Sequence, residues 1–192
     1  MRKLAITLAL ATTALSTPAA GYDVDMTVGY DFGGFRAEAE VGYRKASVIG
    51  VQSTVTLPNG AVIAPAGNYP RSGGSSSALS FMVNGMFDFG DDDGVQAFVG
   101  GGVGVARVKS EYGLRANTRF INDSDTVFAY QGIAGIRAPL SDSIDVSLKY
   151  RFFSADGVTL VDALGRRNEG RFRSHSILGG LTFNFGAPEE VV

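Results

Sequence analysis

Cysteine and tryptophan are absent from this chain of 192 residues, and histidine occurs once. Without cysteine there are no disulfides, no thiolate nucleophile and none of the sulfur-ligated zinc sites. The single histidine, His175, sits between Ser174 and Ser176, and no spacing assigns it a nucleophile or an orienting carboxylate. It reads as a rim residue, so no catalytic residue, cofactor or metal ligand is expected, and the chain is not read as an enzyme. An excess of positive charge is lacking too: 17 Lys and Arg stand against 19 Asp and Glu, a balance that offers nucleic acid no basic face. No run of about 20 apolar residues follows the N-terminal segment, which excludes a helical membrane protein.

What is present is alternation, carried by a chain with 26 glycines and 13 phenylalanines. From Tyr22 to Phe32, Tyr22, Val24, Met26, Val28, Tyr30 and Phe32 fall on one side, with Asp23, Asp25, Thr27, Gly29 and Asp31 on the other. That is the period of a strand with two unlike faces. Gly33-Gly34 permit a tight reversal. The pattern then resumes, with Phe35, Ala37, Ala39, Val41 and Tyr43 opposite Arg36, Glu38, Glu40, Gly42 and Arg44. Strands of this length suit a tilted crossing of a bilayer, which takes about 9–11 residues. The polar face carries both signs of charge, which hydrocarbon cannot solvate but a narrow barrel can pair off. The apolar face is therefore expected toward lipid and the charged face toward the axis.

The first residues have another character. Arg2 and Lys3 precede an apolar run, Leu4 to Leu15, that ends in Thr17-Pro18-Ala19. This is the pattern of a secretory signal peptide, expected over residues 1–20. Cleavage after Ala19 is favoured, because cleavage after Ala20 would put Pro18 three residues before the cut. Losing Arg2 and Lys3 takes the formal charge from −2 to −4. Residues 21–186 are expected to form one barrel domain, with 187–192 as a short tail.

Further strands follow: Leu79 to Phe89, Val95 to Lys109, Thr126 to Arg137 (stopped by Pro139), Ile144 to Phe152, and Ser174 to Phe185. The glycine run in Val95–Lys109 is no phosphate loop, since no helix pattern follows it. Lumen-facing glycines instead make room for large side chains opposite. Three long loops, Ala46–Ser77, Ser110–Ser124 and Ser154–Arg173, alternate with three short turns. Inside the first loop, Val51–Thr56 and Ala61–Ala64 around Pro58-Asn59-Gly60 suggest a small secondary hairpin. Short turns on the periplasmic side and long loops outside are the habit of outer-membrane barrels. Tyr30, Phe32, Phe35, Phe87, Phe89, Phe183 and Phe185 would form a periplasmic aromatic girdle.

Several stretches resemble the small outer-membrane β-barrel proteins of the OmpA-like and opacity-porin type. They are Gly21-Tyr-Asp-Val-Asp with Gly29-Tyr-Asp-Phe-Gly-Gly, Ala39-Glu-Val-Gly-Tyr, Phe98-Val-Gly-Gly-Gly-Val-Gly-Val-Ala, Leu148-Lys-Tyr-Arg-Phe-Phe, and Ser174-His-Ser-Ile-Leu-Gly-Gly-Leu-Thr-Phe-Asn-Phe-Gly. The resemblance implies an all-β, transmembrane, up-and-down antiparallel barrel of the eight-stranded type, of which seven strands are recognisable. It also marks Gly180, Phe183 and Phe185 as a signal read by the outer-membrane assembly machinery. With seven strands, the family's first strand and first external loop are expected to be missing. An unpaired edge would then run along Tyr22–Phe32 and Ser174–Phe185, unless leader residues stayed to fill it.

An ion-pair network is expected to fill the lumen: Asp23, Asp25, Asp31, Arg36, Glu38, Glu40, Arg44, Asp88, Arg137, Asp145, Lys149 and Arg151. Loop cations, above all Arg166, Arg167, Arg171 and Arg173, are candidates for contact with lipopolysaccharide phosphates, beside outer-membrane lipids as general partners. The expected function is an integral outer-membrane protein with a structural or surface-interaction role in a Gram-negative envelope. A narrow, weakly conducting porin is the alternative, and a soluble lipocalin-like ligand carrier with its apolar face inward is a third reading.

Overall fold

A computed structural model describes residues 4–13, 21–53, 57–59, 62–65, 67–90, 94–115, 118–162, 165 and 167–185. Every regular element among them is a strand: β1 (Leu4–Thr13), β2 (Gly21–Asp31), β3 (Phe35–Ser53), β4 (Leu57–Asn59), β5 (Val62–Ala64), β6 (Gly67–Phe89), β7 (Gln96–Arg115), β8 (Thr118–Ser141), β9 (Ile144–Val161) and β10 (Arg167–Phe185). All pairings are antiparallel, and the main sheet closes on itself in the order β1-β10-β9-β8-β7-β6-β3-β2.

The polarity is inside-out relative to a soluble barrel. Asp25 is 1% exposed and Arg151 is fully buried, whereas Phe81 is 54% and Val83 66% exposed. Alternation accounts for this: each strand places every second side chain on the lumen, and those positions hold the polar residues. The expected orientation, greasy side outward, is what the structure has. The girdle is present as well, with ring contacts linking Tyr30, Phe32, Phe35 and Phe87 in sequence at the end bearing the short turns.

The first turn works as its residues require. Gly33 adopts φ 109°, a left-handed conformation that an L side chain resists. Its amide donates to the Asp31 carboxylate at 2.8 Å. In β7, a Cβ on Gly104 would strike the Phe81 carbonyl oxygen, and one on Gly102 the Asn84 side chain. Glycine there lets the strands approach and leaves the lumen to larger neighbours.

The seam, expected to lie open unless leader residues stayed to fill it, is occupied here by β1, which pairs with β2 from Leu4↔Tyr30 to Thr13↔Gly21 and with β10 from Leu4↔Phe185 to Leu10↔Gly179. Two expectations are corrected. Pro139 does not stop its strand. It lies at a register shift of the β8–β9 ladder, between Pro139 and Ser141, where a missing N–H is tolerated. The strands also outrun their predicted ends, since stretches read as loop (Gly67–Ser77, Ser110–Arg115 and Thr118–Ser124) continue the pairing. A secondary hairpin is present as β4–β5 but is shifted: its first arm is Leu57–Asn59, with Pro58↔Ile63 at its centre, while Val51–Ser53 extends β3.

Candidate functional site

The lumen is filled in layers. Toward the long-loop end, Ala78, Met82, Ala106, Val108, Ala129, Phe153, Ala155 and Val158 form an apolar plug. Below it lies the main charged layer. Arg44 Nε lies 3.2 Å from Asp23 and Arg44 Nη2 3.5 Å from Glu40, while its guanidinium sits 3.9 Å above the Phe153 ring centroid. Arg151 meets Asp23 at 3.4 Å and Glu40 at 3.3 Å, and makes a close contact with Asp25. Lys149 Nζ lies 2.9 Å from Asp25. Three carboxylates therefore face three cations. Amides and a hydroxyl complete the set: Asn84 and Gln131 both donate to Glu40 Oε2 at 3.1 Å, and Arg44 donates to Ser80 at 2.8 Å.

A second apolar cluster, Met86, Phe98 and Ile133, separates this layer from one near the short turns. There Arg36 contacts Glu38 at 3.0 Å, an ion contact rather than an aligned hydrogen bond, and Asp88 at 3.5 Å. Arg137 meets Asp31 at 3.5 Å, Asp88 at 3.8 Å and the Gln96 side-chain carbonyl oxygen at 2.5 Å. Asp145 stays apart from both layers and accepts from Asn184 at 2.8 Å. Between the layers a cavity of about 20 Å³, lined in part by Arg36, Glu38 and Lys149, has room for a water molecule but no channel.

The expected network is thus divided in two. The sequence reading overlooked its amide and hydroxyl members, Ser80, Asn84, Gln96 and Gln131, although each occupies a lumen parity position on its strand. Near the long-loop end a second cavity, of about 210 Å³, is lined by Ser76, Val108, Ser110, Leu160 and Phe172 among others. Of the loop arginines, Arg167, Arg171 and Arg173 are exposed on β10, and Arg166 lies outside the described residues. Gly180 is buried toward the lumen, while Phe183 and Phe185 point outward at the short-turn end. Among the described residues no cluster of histidine and carboxylate side chains could hold a metal ion.

The family profile of the outer membrane protein beta-barrel domain matches residues 4–185. "Putative adhesin RP828" of Rickettsia prowazekii (strain Madrid E) is 31% identical over 112 residues, covering 53% of this chain and 48% of that protein. "Putative adhesin RT0816" of Rickettsia typhi (strain ATCC VR-144 / Wilmington) is 33% identical over 112 residues, covering 53% and 49%. Those aligned residues make up about half the length of each relative. Among solved structures, Neisserial surface protein A superposes with a TM-score of 0.55 at 14% identity, covering 96% of each chain. A major outer membrane protein from Thermus thermophilus gives 0.51 at 10% identity, covering 95% of this chain and 99% of that one. At these identities the likeness is one of fold.

Proposed function

The chain belongs to the outer membrane protein beta-barrel domain family, and from that premise we propose that it is a sealed barrel whose work is done outside the cell. The carrying observation is a contrast along the strands: side chains fill the lumen, yet β6 and β8 run to 23 and 24 residues, about twice what a crossing takes. The surplus raises β3, β6, β7 and β8 into a wall beyond the membrane, as a surface for attachment. The adhesin names of the Rickettsia relatives favour the same reading. A narrow porin would need a continuous aqueous path. Planar-bilayer recording tests both: the sealed barrel gives no steps above baseline, and steady conductance would restore the porin. Binding of fluorescent cells or purified protein to host-cell and matrix surfaces then tests attachment, with loss of binding expected when the β7–β8 tip is shortened.

In the membrane this barrel has eight strands, with Leu4–Thr13 kept as the strand that completes it. Without that strand, the ten-pair ladder with β2 and the seven-pair ladder with β10 would be lost; alternate residues of each edge would leave their N–H and C=O without partners, and each such group in hydrocarbon costs several kcal/mol. Retention and cleavage near Ala19 exclude each other, so the intact mass of the membrane-extracted protein tests the reading. A chain shortened by its first 19 or 20 residues would refute it. Gly180, Phe183 and Phe185 serve as the mark for the assembly machinery, and Phe185→Ala is expected to reduce the folded fraction in cells while sparing refolding in vitro.

A further inference from the structure

Above the lipid-facing belt, three neighbouring strands carry an outward cluster that neither the barrel closure nor the external wall uses. Phe185 to His175 spans ten residues, about 33 Å of strand and, at a tilt of about 40°, roughly 25 Å along the membrane normal. That is the height of the apolar band, so His175 lies at its outer edge and Arg173 just beyond. His175 is directly opposite Phe152, and Arg173 is opposite Ser154, which in turn is opposite Tyr130. The Tyr150 hydroxyl lies 2.7 Å from His175 Nδ1, and the Phe152 ring centroid lies 5.1 Å from the imidazole. The ring is thereby held, with Nε2 as its remaining polar atom. Arg173 is exposed and has no ion pair among the described residues, and the nearby acid, Asp156, accepts a hydrogen bond from Ser154 at 3.0 Å. On β7, by contrast, Lys109 is paired with Glu111 at 2.6 Å and Arg107 donates to Ser124 at 3.2 Å.

We propose that Arg173 and His175 bind a phosphate monoester on an outer-leaflet glycolipid, with Tyr150 as a positioning residue. Tyr150 O–H donates to Nδ1, which places the ring proton on Nε2 for donation to a phosphate oxygen. Arg173 supplies the fixed charge and a second, charge-assisted donor. Phe152 and Tyr130 pack against the upper acyl chain, as aromatic side chains do at a membrane interface. The inference rests on the outer-membrane orientation proposed above, and it adds to the loop arginines a defined site with a histidine and a tyrosine.

The test uses the full chain in phosphatidylcholine nanodiscs, titrated with bisphosphorylated lipid A, its monophosphorylated form and phosphatidylglycerol. Native mass spectrometry reads the bound lipid, and the His175 ring nitrogen shifts read the site. Bisphosphorylated lipid A should bind about tenfold more tightly than the phosphodiester lipid, and R173A/H175Q should remove that preference. Y150F should leave an intermediate affinity together with an altered Nδ1 shift. Equal binding of phosphatidylglycerol, or a double variant that still prefers lipid A, would overturn the proposal even though the barrel inserts and keeps its heat-modifiable mobility. A wild-type chain that does not insert would overturn the orientation and the site together.

Discussion

Two charged layers share the lumen, and they are built differently. The layer in the outer half sets Asp23, Asp25 and Glu40 against Arg44, Lys149 and Arg151, with Ser80, Asn84 and Gln131 occupying further donor and acceptor positions. The layer near the short turns sets Arg36 and Arg137 against Asp31, Glu38 and Asp88 and borders the small polar cavity. The outer layer is balanced and roofed by Phe153; the inner one has an acid in excess and includes the part-exposed Arg137 and Asp31 side chains. In a low-dielectric lumen the number of charges matters less than whether each can lose its partner without being stranded. The outer layer should therefore be the rigid centre of the barrel and the inner one its more tolerant end.

The sharpest way to break that contrast is Arg151→Met. Arg151 is fully buried and touches three carboxylates. Its loss leaves Asp23, Asp25 and Glu40, all buried, facing only Arg44 and Lys149, with one negative charge uncompensated. A destabilisation of about 3–5 kcal/mol is expected, read by urea titration of the heat-modifiable band in liposomes. Arg137→Gln in the inner layer should cost less, about 1.5–3 kcal/mol, since Asp88 keeps Arg36 as a partner and Asp31 is itself 15% exposed. Equal costs would mean that the two layers are energetically one.

Packing gives a second, smaller probe. Gly102 sits against the Asn84 side chain that donates to Glu40. Gly102→Ala should thus disturb the outer layer through its amide and cost about 1–3 kcal/mol. Gly132→Ala, where an added Cβ meets nothing within 4 Å, is the matched control and should be near neutral under the same urea titration. A neutral Gly102→Ala would show that the Asn84–Glu40 contact contributes little.

Much of this was legible in the sequence because the physics that sets it is local. Period two at Tyr22–Phe32 and Ile144–Phe152 fixes which residues share a face, and the charge of that face decides which side can meet lipid. Partner choice was not legible. That Arg151 reaches Asp23 and Asp25 across the seam depends on the shear of the closed sheet, which no single strand encodes. Leu4–Thr13 reads two ways for a related reason: an apolar run next to Arg2 and Lys3 has the composition of an export signal and, equally, of a lipid-facing strand, and the intact mass of the membrane-extracted protein distinguishes these. Strand ends were missed because polar residues above the membrane, such as Ser110 and Ser124, pair in the ladder without burying apolar surface. His175 looked like an isolated rim residue because its partner, Tyr150, is diagonal on the neighbouring strand.

Carboxylates held by cations in the lumen can also be compared with carboxylates held by backbone amides at the mouth. The β8–β9 ladder runs no further outward than Ala129↔Ala155. Beyond it Asp125 accepts from the Thr159 amide at 2.8 Å, and Asp123 from the Val161 amide at 2.9 Å and the Ser124 amide at 2.8 Å. These side chains stand in for the missing ladder and pin the end of β9. The Val161 and Ser124 N–H groups hold the Asp123 carboxyl below its ordinary value. A depressed folded value means that the contribution is present above the ordinary carboxylate pKa, about 3.9, and is lost as pH falls through the folded one. The amide shift of Val161 in micelles should then stay flat from neutral pH to about 5 and move only as the solution is acidified past about 4, while Asp123→Ala should shift the Val161 amide at neutral pH. A Val161 amide unchanged by that substitution would show that the clamp is idle and that the outer end of β9 is held by its pairing with β10 alone.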